Sequence, residues 1–110
     1  LIRRFPESAY APDARNRMVY LRNLMAQHEL NIAKFYLTRE AYIADIDRCN
    51  YIIEHYQRSP QVLYALVIMV KSYRHLKLYK MADQTMSIIA MNFPDSKEFV
   101  NLQNGKDGDD

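Results

Sequence analysis

Three histidines, one cysteine and a close pair of aspartates are the residues of this chain best suited to chemistry. Two metal ligands on one helix face need the spacing His-x-x-x-His. Four residues after His28 stands Ile32, four before His55 stands Tyr51, and His75 has no partner at that spacing, so no metal site is expected. Asp45 and Asp47 lie two apart and point about 200° away from each other on a helix, which rules out an acid/base dyad. Cys49 shares an apolar stripe with Ile46 and Ile53 and reads as a small buried hydrophobe. A nucleophile would need a neighbouring base and solvent access, and neither is suggested. Both glycines, Gly105 and Gly108, lie in the last residues, so no phosphate-cradling loop is available. No catalytic residue and no cofactor is expected.

Charge points to no class of ligand by itself. Fifteen basic and thirteen acidic residues leave a net charge of +2. Arg15, Arg22 and Lys34 could lie along one helix side and touch phosphate, which keeps an RNA-binding helical repeat as an alternative. Without interleaved aromatics a solvated helix face is the plainer reading, and no nucleic-acid partner is expected. No signal peptide and no apolar run long enough to span a membrane is read in these residues, and any targeting signal is expected on a missing part.

The elements that position these residues follow from what is missing. Without glycine turns or hairpin signals, the folded part is expected to be all-α with tight connections. A short phrase recurs three times: Phe5-Pro6-Glu7-Ser8, Tyr56-Gln57-Arg58-Ser59 and Phe93-Pro94-Asp95-Ser96. Each is an aromatic, a polar or breaking pair, and a serine able to cap the next helix. Repetition at such periods signals stacked helix pairs. The spacings are about 51 and about 37 residues; the second is close to the tetratricopeptide (TPR) unit of about 34.

Periodicity gives four main helices. The first, about Tyr10 to Thr38, carries Ala14, Met18, Leu21, Met25, Ile32 and Phe35 or Tyr36 as its apolar stripe. It is extra long, with a break near Gln27-His28-Glu29 as the alternative. The second runs from about Glu40 to Tyr56 on Tyr42, Ile46, Cys49, Ile53 and Tyr56. Ser59 as cap and Pro60 in the first turn open the third. That helix runs to about Leu76 and buries Leu63, Leu66 or Val67, Val70 and Tyr73. The fourth covers about Lys80 to Asn92 through Ala82, Met86, Ile89 and Ala90. The methionines fall largely on these stripes and read as core, and Tyr36, Tyr42, Tyr56, Tyr73 and Tyr79 read as packing between helices. The expected divisions are 1–9 as the end of a preceding repeat, 10–58 and 59–102 as helix pairs, and 103–110 as a disordered tail. The chain then reads as a fragment of a longer repeat protein, with part of the first helix's apolar face uncovered.

On the second helix, Ala41, Ala44, Arg48, Tyr51 and His55 fall opposite Ile46 and should be exposed. Arginine and tyrosine are enriched at binding hot spots, and small neighbours let a partner backbone approach. The plainer reading pairs Arg48 with Asp45 one turn back.

Residues 60–96 follow the TPR pattern through Tyr73, Tyr79, Ala82 and Pro94; residues 29–58 follow it more loosely, with Asp45 where alanine is common. Phe5, Pro6, Ser8 and Tyr10, then Leu24-Met25-Ala26, Ala33 and Tyr36, Arg39, Ala41-Tyr42, Ala44 and Arg48, Tyr56 and Ser59, and Ser72-Tyr73 with Leu76 together resemble the C-terminal part of the BamD family of TPR lipoproteins. Gln57, Asp45 and Glu40 depart from that pattern. The resemblance implies a TPR-like superhelix with a non-catalytic scaffold role in the outer-membrane β-barrel assembly machinery. It implies lipid anchoring at the periplasmic face of the bacterial outer membrane through an N-terminus missing from this chain. It also implies docking of a POTRA domain of BamA, with smaller accessory lipoproteins as further partners, and Arg48 as the arginine that meets an acidic POTRA residue. A generic TPR adaptor for peptide tails is the other binding-module reading.

Overall fold

A computed structural model of the chain describes residues 12–104, with side-chain surroundings from residue 14 onward. Five helices follow one another: α1 (Pro12–Thr38), α2 (Tyr42–His55), α3 (Gln61–His75), α4 (Tyr79–Asn92) and α5 (Lys97–Gln103). They stack as two antiparallel hairpins, α1 with α2 and α3 with α4, and α5 closes against α3 and α4. This is an all-α, TPR-like helix-pair architecture. The expected start at Tyr10 and the tail from residue 105 lie outside the described residues, as does the first copy of the repeated phrase. α1 is one continuous helix of 27 residues, so the alternative of a break at Gln27-Glu29 falls away.

Both hairpin turns are closed in the same way. Glu40 and Lys77 adopt φ of 62° and 63°, the left-handed conformation that usually selects glycine. Around Glu40, the Ala41 N–H donates to the Tyr36 carbonyl (2.9 Å) and the Glu40 N–H to that of Leu37 (3.0 Å). Around Lys77, the Leu78 N–H donates to the Tyr73 carbonyl (2.8 Å) and the Lys77 N–H to that of Arg74 (3.0 Å). These are Schellman turns, which satisfy carbonyls orphaned at a helix end. The turn at Glu40 is why α2 begins at Tyr42, later than the expected Glu40.

Cys49, Ile52, Val70 and Ile89 are fully enclosed in the core. α3 is central, and Ala65 through Val70 are buried consecutively because α1, α2 and α4 all pack on it. Gln61 Nε2 also donates to Gln27 Oε1 (3.1 Å), tying the start of α3 to α1.

Several expectations are corrected. On α1 the buried stripe is Ala26, Leu30 and Ala33, with Leu37 packed beside it, while Met18, Leu21, Met25 and Phe35 are each more than half exposed. The covered face is therefore shifted from the one that periodicity singled out. The N-terminal half of α1 buries nothing fully between Ala14 and Met25 and leaves Met18, Val19, Tyr20, Leu21, Leu24 and Met25 exposed. Met81, Met91 and Tyr79 are also exposed, so only Met69 and the partly buried Met86 join the core among the methionines. Ser59 does not cap α3. Pro60 itself occupies the N-cap position, and the Ser59 hydroxyl turns back to donate to the Tyr56 carbonyl at 2.8 Å. Ser96 does cap, accepting from the Phe99 N–H at 3.1 Å, and it opens α5. That short helix was not expected. Its Leu102 is fully buried, and the Leu102 carbonyl accepts from Arg74 Nη2 at 3.1 Å.

Candidate functional site

α2 lies between α1 and α3, so it has two packed sides rather than one. Ile46, Cys49 and Ile52 face the core. The face carrying Arg48 was expected to be open to solvent, but it turns partly toward α1. Arg48 reaches across the helix pair, and its Nη1 donates to Glu29 Oε1 at 2.7 Å. The expected local pair with Asp45 does not form.

Asp45 is instead drawn inside. It is fully buried, and the Ser72 hydroxyl on α3 lies 2.6 and 2.7 Å from its two carboxylate oxygens. Burial pushes its pKa up to about 6, against the partial offset of the Ser72 hydrogen bond. The same burial, followed by the Asp45 charge, pushes the Cys49 thiol up, so Cys49 is an inert core residue. Asp47, two positions on, is exposed.

Tyr36, Ala44, Asp47, Arg48 and Tyr51 line a surface concavity of about 370 Å³ between α1 and α2. Three of the five residues singled out in the sequence, Ala44, Arg48 and Tyr51, therefore meet in one slot. Ala41 and His55 sit at the two ends of α2 and do not line it. The Ala41 carbonyl accepts from the Asp45 N–H at 3.0 Å, which commits it to starting the helix. The His55 ring meets the Tyr51 ring edge-on at 4.1 Å, and its carbonyl accepts from Arg22 Nη2 at 2.8 Å. Tyr51 also lies 5.8 Å from the Arg48 guanidinium, within cation–π range. His55 thus braces Tyr51, and Tyr51 with Glu29 braces Arg48.

Sequence reasoning missed Glu29 and Tyr36. Both stand on a different helix from Arg48, and no spacing within α2 could reveal them. His28 and His75 join no such cluster; the His75 ring stacks on Tyr42 at 5.0 Å. Among the described residues no group of three His, Cys, Asp or Glu side chains converges as a metal site would require. The slot places the Glu29-paired guanidinium of Arg48 beside an exposed aromatic, a small residue and the Asp47 carboxylate.

A stack of TPR-like helix pairs defines a helical-repeat protein as the class. The sequence model of the YfiO family, described as outer membrane lipoprotein, matches residues 1–88. The chain is 38% identical over 92 residues to the outer membrane protein assembly factor BamD of Xylella fastidiosa strain Temecula1, covering 84% of this chain and 31% of that protein. Against the BamD of Neisseria meningitidis serogroup B it is 38% identical over 96 residues, covering 87% and 36%. Against the BamD of Buchnera aphidicola from Acyrthosiphon pisum it is 34% identical over 91 residues, covering 83% and 37%. The chain belongs to the YfiO outer-membrane lipoprotein family, and it spans about a third of the length of these curated relatives.

Proposed function

We propose that this chain is the C-terminal scaffold segment of an outer-membrane protein assembly factor. In this reading it performs no chemistry. Its rigid helix pairs dock the POTRA domain of BamA, and accessory lipoproteins use further parts of the surface. The longer protein works at the periplasmic face of the bacterial outer membrane, held there by an N-terminal lipid. No helix among the described residues is long and apolar enough to cross a membrane.

The observation that carries the reading is the slot on α2. Arg48 stands in it beside Tyr51 and Ala44, and its side chain remains 36% exposed. An acidic POTRA side chain entering the slot would form a charge-assisted pair with Arg48. Reversing that charge in Arg48→Glu should weaken capture of the POTRA domain by roughly 2 kcal/mol, about thirtyfold. A pull-down in which the folded variant captures as much as the unaltered chain counts against the reading.

One observation favours the generic adaptor as a second reading. Asn50 and Asn92 stand over a groove of about 390 Å³ with Ile53, Leu66, Met69 and Phe93 in its walls. Asn50 and Gln57 add amide groups to these apolar walls, a lining that suits an extended peptide, while Asn92 Nδ2 donates to the Ile88 carbonyl at 2.9 Å. Under that reading Asn50→Ala would abolish capture and Arg48→Glu would leave it intact.

A further inference from the structure

Arg48 and Glu29 form the only ion pair among the described residues, and it joins two different helices. The pair is one-sided. It rests on a single Nη1···Oε1 contact of 2.7 Å, whereas a guanidinium can grip a carboxylate through two parallel N–H donors. The Arg48 side chain is 36% exposed and that of Glu29 only 17%, so the cation reaches solvent while the anion sits behind it. Arg22 shares that face of α1 at helical spacing, but its guanidinium is engaged by the His55 carbonyl at 2.8 Å and lies 5.6 Å from the Tyr56 ring centroid. Arg48 is thus the cation that holds Glu29.

We propose that Glu29 is an internal competitor for Arg48, a built-in stand-in for the partner's carboxylate. This rests on the reading of Arg48 as the docking cation. Asp47 already lines the slot, so a further carboxylate arriving while Glu29 stays in place would set three anions around one cation, and their repulsion opposes binding. Entry therefore requires exchange. A carboxylate that presents both oxygens to the guanidinium improves on the one-sided internal pair, while an acidic group that can offer only one oxygen gains nothing over what it displaces. Glu29 in this way sets the stringency of the slot, and it does so by acting on Arg48 rather than by touching the partner.

The test is titration calorimetry with a purified BamA POTRA domain against the unaltered chain, Glu29→Gln, Arg48→Gln and the double variant, with helicity checked for each. Glu29→Gln keeps the side chain's shape and removes its charge. It should tighten binding about tenfold, and Arg48→Gln should weaken it by at least about tenfold. In the double variant the gain from Glu29→Gln should vanish. Unchanged or weaker binding by Glu29→Gln, with Arg48→Gln still impaired, overturns the competitor role and leaves the docking reading standing. A gain that persists in the double variant overturns it too, because Glu29 would then be repelling the partner directly. Arg48→Gln binding like the unaltered chain removes both ideas. Should Glu29→Gln lose helicity, the carboxyl carbon signal of Glu29 in the unaltered chain carries the test. It should move as the POTRA domain is added, and a Glu29 signal that stays fixed at saturation overturns the exchange.

Discussion

The two helix hairpins repeat the same turn and second helix at an offset of about 37 residues, although their first helices differ in length, 27 residues against 15. Tyr36 corresponds to Tyr73, Glu40 to Lys77, Ile52 to Ile89, and Tyr56 to Phe93. The Schellman turns are the same, and α2 and α4 are each 14 residues long. At the helix crossing, however, the second hairpin buries Ala82 and the first buries Asp45. Arg48 corresponds to Thr85, Tyr51 to Ile88, Ala44 to Met81 and Glu29 to Leu66. Both charged members of that set belong to the first hairpin, while their counterparts are Thr85 and Leu66. The shared positions make the turn and second helix, and the divergent ones concentrate charge on the first hairpin.

That comparison can be broken most forcefully at its equivalent core positions. Ile52 and Ile89 are both fully buried, so Ile52→Ala and Ile89→Ala should each cost about 3 kcal/mol in urea unfolding. Widely unequal losses would show that the two hairpins are not energetic copies. The crossing gives a smaller effect with a definite pH signature. Asp45 has its pKa raised from 3.8 to about 6, so the folded chain holds that proton more tightly than the unfolded chain does. Stability therefore falls as pH rises from about 4 to about 6 and stays lower above that window. Asp45→Asn removes the charge while leaving Ser72 a partner. It should raise stability by about 2 kcal/mol at pH 8 and by almost nothing at pH 4. Parallel pH profiles for the two proteins would refute this assignment. The smallest effect lies in the turns. Glu40→Gly and Lys77→Gly place the residue without a side chain where φ is 62° and 63°. Each should raise the thermal midpoint through a gain of about 0.5–1 kcal/mol, and the two gains should be alike.

Much of this architecture was legible from periodicity. The limits of α2, α3 and α4 lie within two residues of those expected, because their apolar patterns stop at the turns on either side. α1 was less legible. It carries two apolar stripes, and the large residues Met18, Leu21 and Met25 outweigh the small Ala26 and Ala33 in any pattern. Burial followed the small ones, since they let α2 and α3 approach closely. α5 spans only seven residues, too few to show a period. Ser59 misled because a serine before proline resembles a cap, but Pro60 took that position. In the site, the wheel of α2 found Arg48, Tyr51 and Ala44 but assigned Arg48 the wrong partner. Spacing along one helix offered Asp45, and only the packing of α1 against α2 brings Glu29 within reach.

The uneven support of α1 has a mechanical consequence. Its C-terminal half is clamped by α2 and α3, while the half before Ala26 buries almost nothing. Such a helix is a cantilever whose outermost anchor is Arg22, held by the His55 carbonyl, about 15 Å from the Pro12 end. A tilt of about 5° there moves that end by about 1 Å.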